Sequence, residues 1–577
     1  MKGCHVLGAG ASVFTLALTL ALGAGPALSD LGVKTLEGKH VQYYVTEDML
    51  LNADKDPNNW LMYGRDYEST RYSPLNQITA NNVGDLVAKW SLSFGVIGAQ
   101  DSQVTAVNGR LYVSSSQNKV FAIDGATGRE LWRYDHPLPA DLGPKLCCGD
   151  VNRGVIAYED KVYIATLDTH LIALDNDTGE VVWDQKLGDY KTGEIFTSMP
   201  VVADGKIMIG NSGGDVGANA GTIYAVDAET GAPAWKTYTV PVTGKEDIAK
   251  TWGNGSWKTA GGTPWLPGSF DKETGLLLWG VGNPVPDFDG SVRPGDNLYT
   301  ASTIAIDIKT GEIKGHFQYT PHDTYDYDGT NEAIVITDKE GRKVWVHADR
   351  NGHLYSIDRS TYKCNWVVPM SRVNWVKSWG ENCRPIVDPE KVPTYGKVTK
   401  DIAPVLDGGK EWVPASYSKR TGFVYVPGRD MSMDLAAKKQ EFKPGEWYLA
   451  TDVLKLNPGG GYVKAFDATT GELAWARRQN TPATGGILST AGGLIFNGDA
   501  EGVFRAIKDD TGETLWEFNV GTGIHSNPTT FMVGDTQYVA ILAGPGGGSI
   551  WPLVYGDWLK TRQQGGSMFV FALHKKK

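Results

Sequence analysis

Cysteine is scarce in this chain, five residues among 577, which excludes a disulfide-stapled scaffold, since that needs a dense set in a short sequence. No Cys-x-x-Cys-His run occurs, so covalent attachment of a c-type haem is excluded. No glycine-rich dinucleotide fingerprint appears in a strand-to-helix setting, which speaks against a nicotinamide cofactor. Basic charge is in deficit: 55 Lys and Arg against 66 Asp and Glu leave a net charge of −11. Phosphate binding needs the opposite sign, so nucleic acid is not expected as a partner; an acidic surface can instead steer a basic protein. No charge run, low-complexity stretch or Pro/Ser-rich linker marks a boundary, and one large closed architecture fits better than several domains.

The apolar run that looks like a targeting segment lies at the start. Lys2 supplies a positive charge, Val13 to Leu22 an apolar core, and Ala24 to Ser29 a small-residue cleavage region, the pattern of an export signal. A signal over 1–29 and a single periplasmic domain over 30–577 are therefore expected. The run is too short for a membrane span, so stable membrane insertion is not expected. Cys4 precedes the apolar core, which argues against lipid attachment there. In an oxidising compartment the adjacent Cys147-Cys148 and the more widely spaced Cys364 and Cys383 can both be oxidised. A vicinal bond closes a strained ring, a poor stability device but a rigid lid for a flat ligand. The alternative is two reduced cysteines acting as small hydrophobes.

What the chain has in abundance is glycine, 71 residues, and tryptophan, 19, pointing to many tight turns and many flat side chains packed between sheets. Both belong to a repeat: AIDGATGRELW (Ala122 to Trp132), ALDNDTGEVVW (Ala173 to Trp183), AVDAETGAPAW (Ala225 to Trp235) and AFDATTGELAW (Ala465 to Trp475). Weaker copies run from Ala305 to Gly315 and end at Trp366 and Trp516. Recurrence at about 50 residues is the mark of units that bury their faces against neighbours. Alternating apolar residues before each Asp make a strand, and Asp-x-x-Thr-Gly makes a turn, because Asp and Thr bond nearby amides and Gly accepts positive φ. Helix is expected to be minor, as at Ala80 to Leu86. The reading is all-β: an eight-bladed β-propeller of four-stranded blades with tryptophan-docking repeats, whose closure hides the sheet edges and leaves a central axis for a ligand.

This repeat, with WLMYGRDYESTRYSPLNQIT at Trp60 to Thr79 and DTQYVAILAGPGGG at Asp535 to Gly548, resembles the quinoprotein alcohol dehydrogenases, methanol and ethanol dehydrogenases that use pyrroloquinoline quinone (PQQ). The resemblance covers nearly all of the mature chain. It implies that Cys147 and Cys148 lie over the quinone plane and Trp265, in GGTPW, beneath it. It places Arg153 at a cofactor carboxylate, and Asp101, Thr166, Ser212, Gly213, Gly214, Thr263, Asn374 and Trp375 along the cofactor. Arg350, in HADRNG, matches the basic residue facing the reactive quinone oxygen, where a cation stabilises developing negative charge.

In TPHDTYDYDGTNE, Thr320 to Glu332, the resemblance makes Asp326 the catalytic base. Asp328 falls two residues later, on the same face if the segment is extended. With Asp215 and Asn283, matching the family's other ligands, they form an all-oxygen metal site of the kind that holds calcium. In the resembling family a carboxylate at the position of Asp328 marks lanthanide-using members, and one more negative ligand suits a trivalent ion. A lanthanide is favoured, with calcium as the alternative. Three departures stand out: Asp215 and Asp101 each replace a usual Glu, and Thr484 stands at a usual Trp, which is expected to open the substrate side to larger primary or secondary alcohols. The resemblance also implies a separate electron acceptor, a soluble cytochrome c, and leaves a homodimer open. Two other readings are a cofactor-free propeller scaffold built on the same repeat and a PQQ-dependent sugar or polyol dehydrogenase.

Overall fold

Each Asp-x-x-Thr-Gly phrase folds by local chemistry. Asp124 Oδ1 accepts from the Thr127 amide at 2.9 Å and its hydroxyl at 2.8 Å. Gly128, at φ 74°, donates its own N–H to the Asp124 carbonyl at 2.8 Å. Asp175 with Thr178, Asp227 with Thr230 and Asp307 with Thr310 repeat the arrangement. The side chains supply the turn's missing partners, and glycine takes the left-handed conformation that other residues resist.

The computed structural model describes residues 43–259, 261–545 and 564–574, with the strand pair Thr35–Leu36 and Lys39–His40. The expected signal over 1–29, Cys4 included, lies outside the described residues. Tyr43–Lys577 is one compact unit. Its hairpins assemble into antiparallel sheets of four strands, beginning with Thr105–Val107, Arg110–Ser115, Lys119–Asp124 and Glu130–Asp135. Four more sheets follow in strict chain order to Cys364–Pro369. The sixth takes Ser416–Tyr417, Phe423–Arg429, Gly461–Asp467 and Leu473–Gln479. The seventh, running from Ala483–Thr490 to Thr514–Asn519, gains a parallel strand from Tyr72–Ser73. The eighth joins the two ends of the unit, because Leu86–Ser93 pairs with Ser567–Leu573. This is an all-β propeller fold.

Tryptophans link neighbouring sheets. The Trp132 indole N–H, in the first sheet, donates to the Asn176 carbonyl in the second at 3.0 Å. A Cβ added to Gly179 would lie 2.5 Å from the Trp132 ring, so the indole fits only over a glycine turn. Trp90 to Gly125, Trp183 to Ala228, Trp235 to Ile308, Trp366 to Thr469, Trp475 to Asp509 and Trp516 to Leu86 make equivalent bonds at 2.9–3.2 Å. The weak repeat ending at Gly315 lacks the tryptophan, and the Tyr362 ring from the next sheet covers that glycine instead.

Helix is scarce, as the sequence suggests, but its place differs. The segment from Ala80 to Leu86 contributes only a 3₁₀ turn, Val83–Asp85, because Gly84 and Asn82 are poor helix formers. The α-helix among the described residues is Glu47–Leu51, capped by the Thr46 hydroxyl, which accepts from the Met49 amide at 3.2 Å. Between the fifth and sixth sheets the chain makes an excursion through the strand pair Val376–Trp379 and Pro385–Val387 and the strand Thr399–Ile402, which pairs with Ser432–Ala437 from a connection within the sixth sheet; the Cys364–Cys383 disulfide, with Cα atoms 5.9 Å apart, ties the start of this excursion to the last strand of the fifth sheet.

Trp132→Ala removes a buried indole and its bond to the next sheet, and it should cost about 3–5 kcal/mol, read as a lower urea midpoint. A loss below about 1 kcal/mol would show that the indole contact does not hold the sheets together.

Candidate active site

The strand connections at one end of the sheets bring together residues far apart in sequence. They come either before a sheet's first strand or between its second and third. From these connections Cys147, Cys148, Arg153, Ser212, Gly213, Gly214, Asp215, Thr263, Trp265, Asn283, Asp326, Asp328 and Arg350 all line one cavity, which holds about 1020 Å³ of empty space, its open mouth included.

One side of the cavity is a carboxylate cluster. The Asn283 amide N–H donates to Asp328 Oδ1 at 2.6 Å, and its side-chain Nδ2 reaches Asp215 Oδ1 at 3.4 Å. The Trp265 indole N–H donates to Asp328 Oδ2 at 3.0 Å. Arg350 Nη1 stands 3.0 Å from Asp328 and 3.6 Å from Asp326. Burial, with the charge of Asp328 adding to it, pushes the Asp215 carboxyl up to about 6. Burial also raises Asp326 well above its ordinary value and Asp328 above its own, against the pull of Arg350. Asp326 and Asp328 lie in a loop, not a strand, and Asp326 takes φ 66°, a conformation uncommon outside glycine that clusters at functional sites. Among the described residues, no three acidic, histidine or cysteine side chains are gathered tightly enough to chelate an ion as they stand.

The opposite side is built by residues that sequence reasoning missed: Asp407, Glu411, Trp412, Arg429 and His525. Gly408, at φ 78°, brings the 407–412 loop onto Arg350, whose Cα would lie 2.5 Å from a Cβ there. Glu411 Oε1 then meets Arg350 Nη2 at 2.8 Å, and Asp407 meets Arg429 at 2.6 Å. Arg153 lies over both indoles, 4.6 Å from Trp412 and 5.1 Å from Trp265, and Arg350 is 5.4 Å from Trp265. The signal available in sequence was GGKEW, a glycine pair before charged and aromatic residues, which carries no periodicity to single it out.

Four expected cofactor residues are absent from the cavity wall. Asn374 is turned into the excursion, donating to the Asp401 carbonyl at 2.6 Å and accepting from the Ala403 amide at 2.8 Å. Trp375 is fully buried against Tyr325 and Tyr327, with its indole N–H on the Asn351 carbonyl at 2.9 Å; it supports the Asp326 loop from behind. Trp412 lines the cavity and Trp375 does not. Thr166 gives its hydroxyl to Asp168 at 2.6 Å, and Asp101 reaches the cavity only through His525, at 3.0 Å. Thr484 also lies off the cavity wall, its hydroxyl bonded to the Ile524 carbonyl at 2.6 Å. Cys147 and Cys148 are free thiols with Sγ atoms 2.7 Å apart, not a closed bond. The hydrogen bond from Cys148, reinforced by burial, raises the Cys147 thiol well above its usual range.

The donor set fits a flat anion and a cation. Arg153 is 4% exposed, has no carboxylate partner among the described residues, and keeps a buried Nε without a partner, which a ligand carboxylate would satisfy. The Asp215, Asp326 and Asp328 oxygens with Asn283 are hard ligands whose mutual repulsion a cation would relieve. Trp265→Phe keeps the ring but removes the donor to buried Asp328. It should destabilise the chain by about 1–3 kcal/mol in chemical denaturation, and an unchanged midpoint would remove that bond from the account.

The profile of the family described as PQQ: Glucose/ethanol/alcohol dehydrogenase, beta-propeller domain, matches residues 60–389 and 476–539. The quinoprotein alcohol dehydrogenase PedH of Pseudomonas putida is 36% identical, covering 92% of this chain and 94% of its own length. The lanthanide-dependent methanol dehydrogenase of Methylacidiphilum fumariolicum is also 36% identical, covering 87% of each chain. The solved structure of a europium-containing methanol dehydrogenase superposes with a TM-score of 0.87 at 33% identity, covering 91% of this chain and 100% of that one. A cavity that fits a flat anion beside a carboxylate cluster, on a propeller fold related to these enzymes over nearly its whole length, places this chain in the family of PQQ-dependent quinoprotein alcohol dehydrogenases.

Proposed function

We propose that this enzyme oxidises primary or secondary alcohols at the cavity, with Asp326 as the base and Arg350 as the cation facing the developing charge. The observation that carries the assignment of roles is that Asp326, Asp328, Asp215, Asn283, Trp265, Arg350 and the cysteine pair line one cavity. When bound, PQQ supplies a hydride acceptor and the ion supplies Lewis-acid polarisation of its carbonyl. The chain's own residues do the rest. Asp326 takes the hydroxyl proton of the alcohol at its carboxylate, which Arg350, 3.6 Å away, helps to keep ionised. Arg350 itself is held by Glu411 at 2.8 Å, so its guanidinium is fixed before the reaction begins, and preorganised charge is worth more than charge that must turn into place. Trp265 anchors Asp328 and offers an aromatic face to the quinone. Cys147 and Cys148, which line the same cavity, would in an oxidising compartment close into a vicinal bond that could pack against the cofactor. Leu406 and Trp412 line the same cavity and set the size of alcohol admitted.

Asp215, Asn283, Asp326 and Asp328 would hold the ion. Its identity is proposed as a lanthanide, with calcium as the alternative: Asp328 adds a fourth oxygen ligand, and relatives named for lanthanide dependence and for europium support the reading. The wider proposal is of eight blades, one per four-stranded sheet, in a chain exported to the periplasm that passes electrons to a soluble cytochrome c. No helix among the described residues is long and apolar enough to cross a membrane.

Asp326→Asn should lower kcat by at least about 100-fold while PQQ stays bound, followed by its absorbance; a fully active variant would take Asp326 out of its role. Cation affinity should weaken as pH falls through about 6, because the raised Asp215 carboxyl holds a proton there that the ion must expel. Calorimetric titration of lanthanum or calcium across that range checks it, and a flat affinity would refute it.

A further inference from the structure

One titratable pair in the cavity has no part in the chemistry above. Asp101, 1% exposed, accepts from His525 Nδ1 at 3.0 Å, and His525, 4% exposed, is part of the cavity wall. The His525 ring packs edge-on against Trp412 with centroids 5.1 Å apart, on the same indole that Arg153 covers at 4.6 Å. Two basic side chains thus flank one tryptophan. Their surroundings differ from those of the other cations. Arg429 is neutralised by Asp407 and Arg350 by Glu411, whereas Arg153 has no carboxylate partner among the described residues. The carboxylates of Asp407 and Glu411 lie near enough to feel the His525 charge.

From this geometry we infer that His525, oriented by Asp101, is a cofactor-binding residue that joins Arg153 in receiving a carboxylate of PQQ on the Trp412 side of the cavity. The inference rests on the PQQ reading. Asp101 stands where the family usually has Glu, one methylene longer. Asp101 lies behind the cavity wall, and the imidazole bonded to it is part of that wall. With Nδ1–H given to Asp101, the neutral imidazole has only an acceptor at Nε2, which repels a carboxylate; the imidazolium has a donor there, which binds one. The charged groups facing His525 are Asp101, Asp407 and Glu411, with Arg153 and Arg429 on the same wall.

The test uses the full chain freed of cofactor, kept saturated with lanthanum or calcium so that the ion-binding carboxylates stay ionised. PQQ affinity is measured by quenching of tryptophan fluorescence at one fixed pH. His525→Gln should bind about tenfold more weakly than wild type, the worth of one charge-assisted hydrogen bond. Asp101→Asn, which keeps the imidazole but removes the carboxylate that orients it, should weaken binding in the same direction. Wild-type affinity in both variants overturns the inference and leaves the PQQ reading standing. Wild type that fails to bind PQQ overturns that reading and the inference with it. Should His525→Gln lose its thermal unfolding transition, the affinity of Asp101→Asn decides alone.

Discussion

An indole that donates to a carbonyl in the neighbouring sheet, its ring laid over the glycine of that sheet's turn, is the contact on which the rest of this molecule depends. Trp132 on Gly179 and Trp475 on Gly512 show the same geometry. The indole is too wide to fit over any side chain and its N–H must be satisfied when buried, so ring and bond together fix both the spacing and the register of adjacent sheets. Where the tryptophan is missing, at Gly315, another aromatic ring, Tyr362, fills the same space. Because the sheets are held in this way at their outer strands, the connections at one end converge on a shared cavity.

That convergence has an electrostatic cost. Asp215, Asp326, Asp328, Asp407 and Glu411 line the same cavity, and carboxylates taken out of water raise one another's affinity for protons. Ion pairs compensate on one side, where Arg429 meets Asp407 and Arg350 meets Glu411. On the other side Arg350 alone, among the described residues, reaches Asp326 and Asp328, and burial, with mutual repulsion adding to it, raises the carboxyls there, a cost that a bound cation would offset. The buried Arg153, without an acidic partner among the described residues, has the opposite need, for an anion. The two imbalances, of opposite sign in one cavity, are what a polyanionic cofactor carrying its own metal ion would resolve.

The repeat could be read directly because its chemistry is local: Asp, Thr and Gly within five positions make the turn at Asp124–Gly128 without help from the rest of the chain. The carboxylate cluster, Trp265 and Arg350 are singled out by the resemblance of short runs to a known family, and the fold brings them to one cavity. Residues whose roles come from folding over long separations could not be found in this way. Asn374 and Trp375 carry suitable side chains in a suitable order, yet the excursion turns them toward Asp401 and Tyr325, while Glu411 and Trp412 occupy the wall. His525 lies 424 residues from Asp101, and nothing in its own segment marks it.

The sequence by itself determined the strands, the turns and the chemical kind of the site, because alternation, Asx-type hydrogen bonds and clusters of like charge act between near neighbours. Tertiary structure alone decided which of several chemically adequate side chains face the cavity, how the arginines divide among the carboxylates, and that Asp101 meets His525. Those outcomes depend on where the sheets hold their connections, a property of the assembled propeller and not of any segment within it.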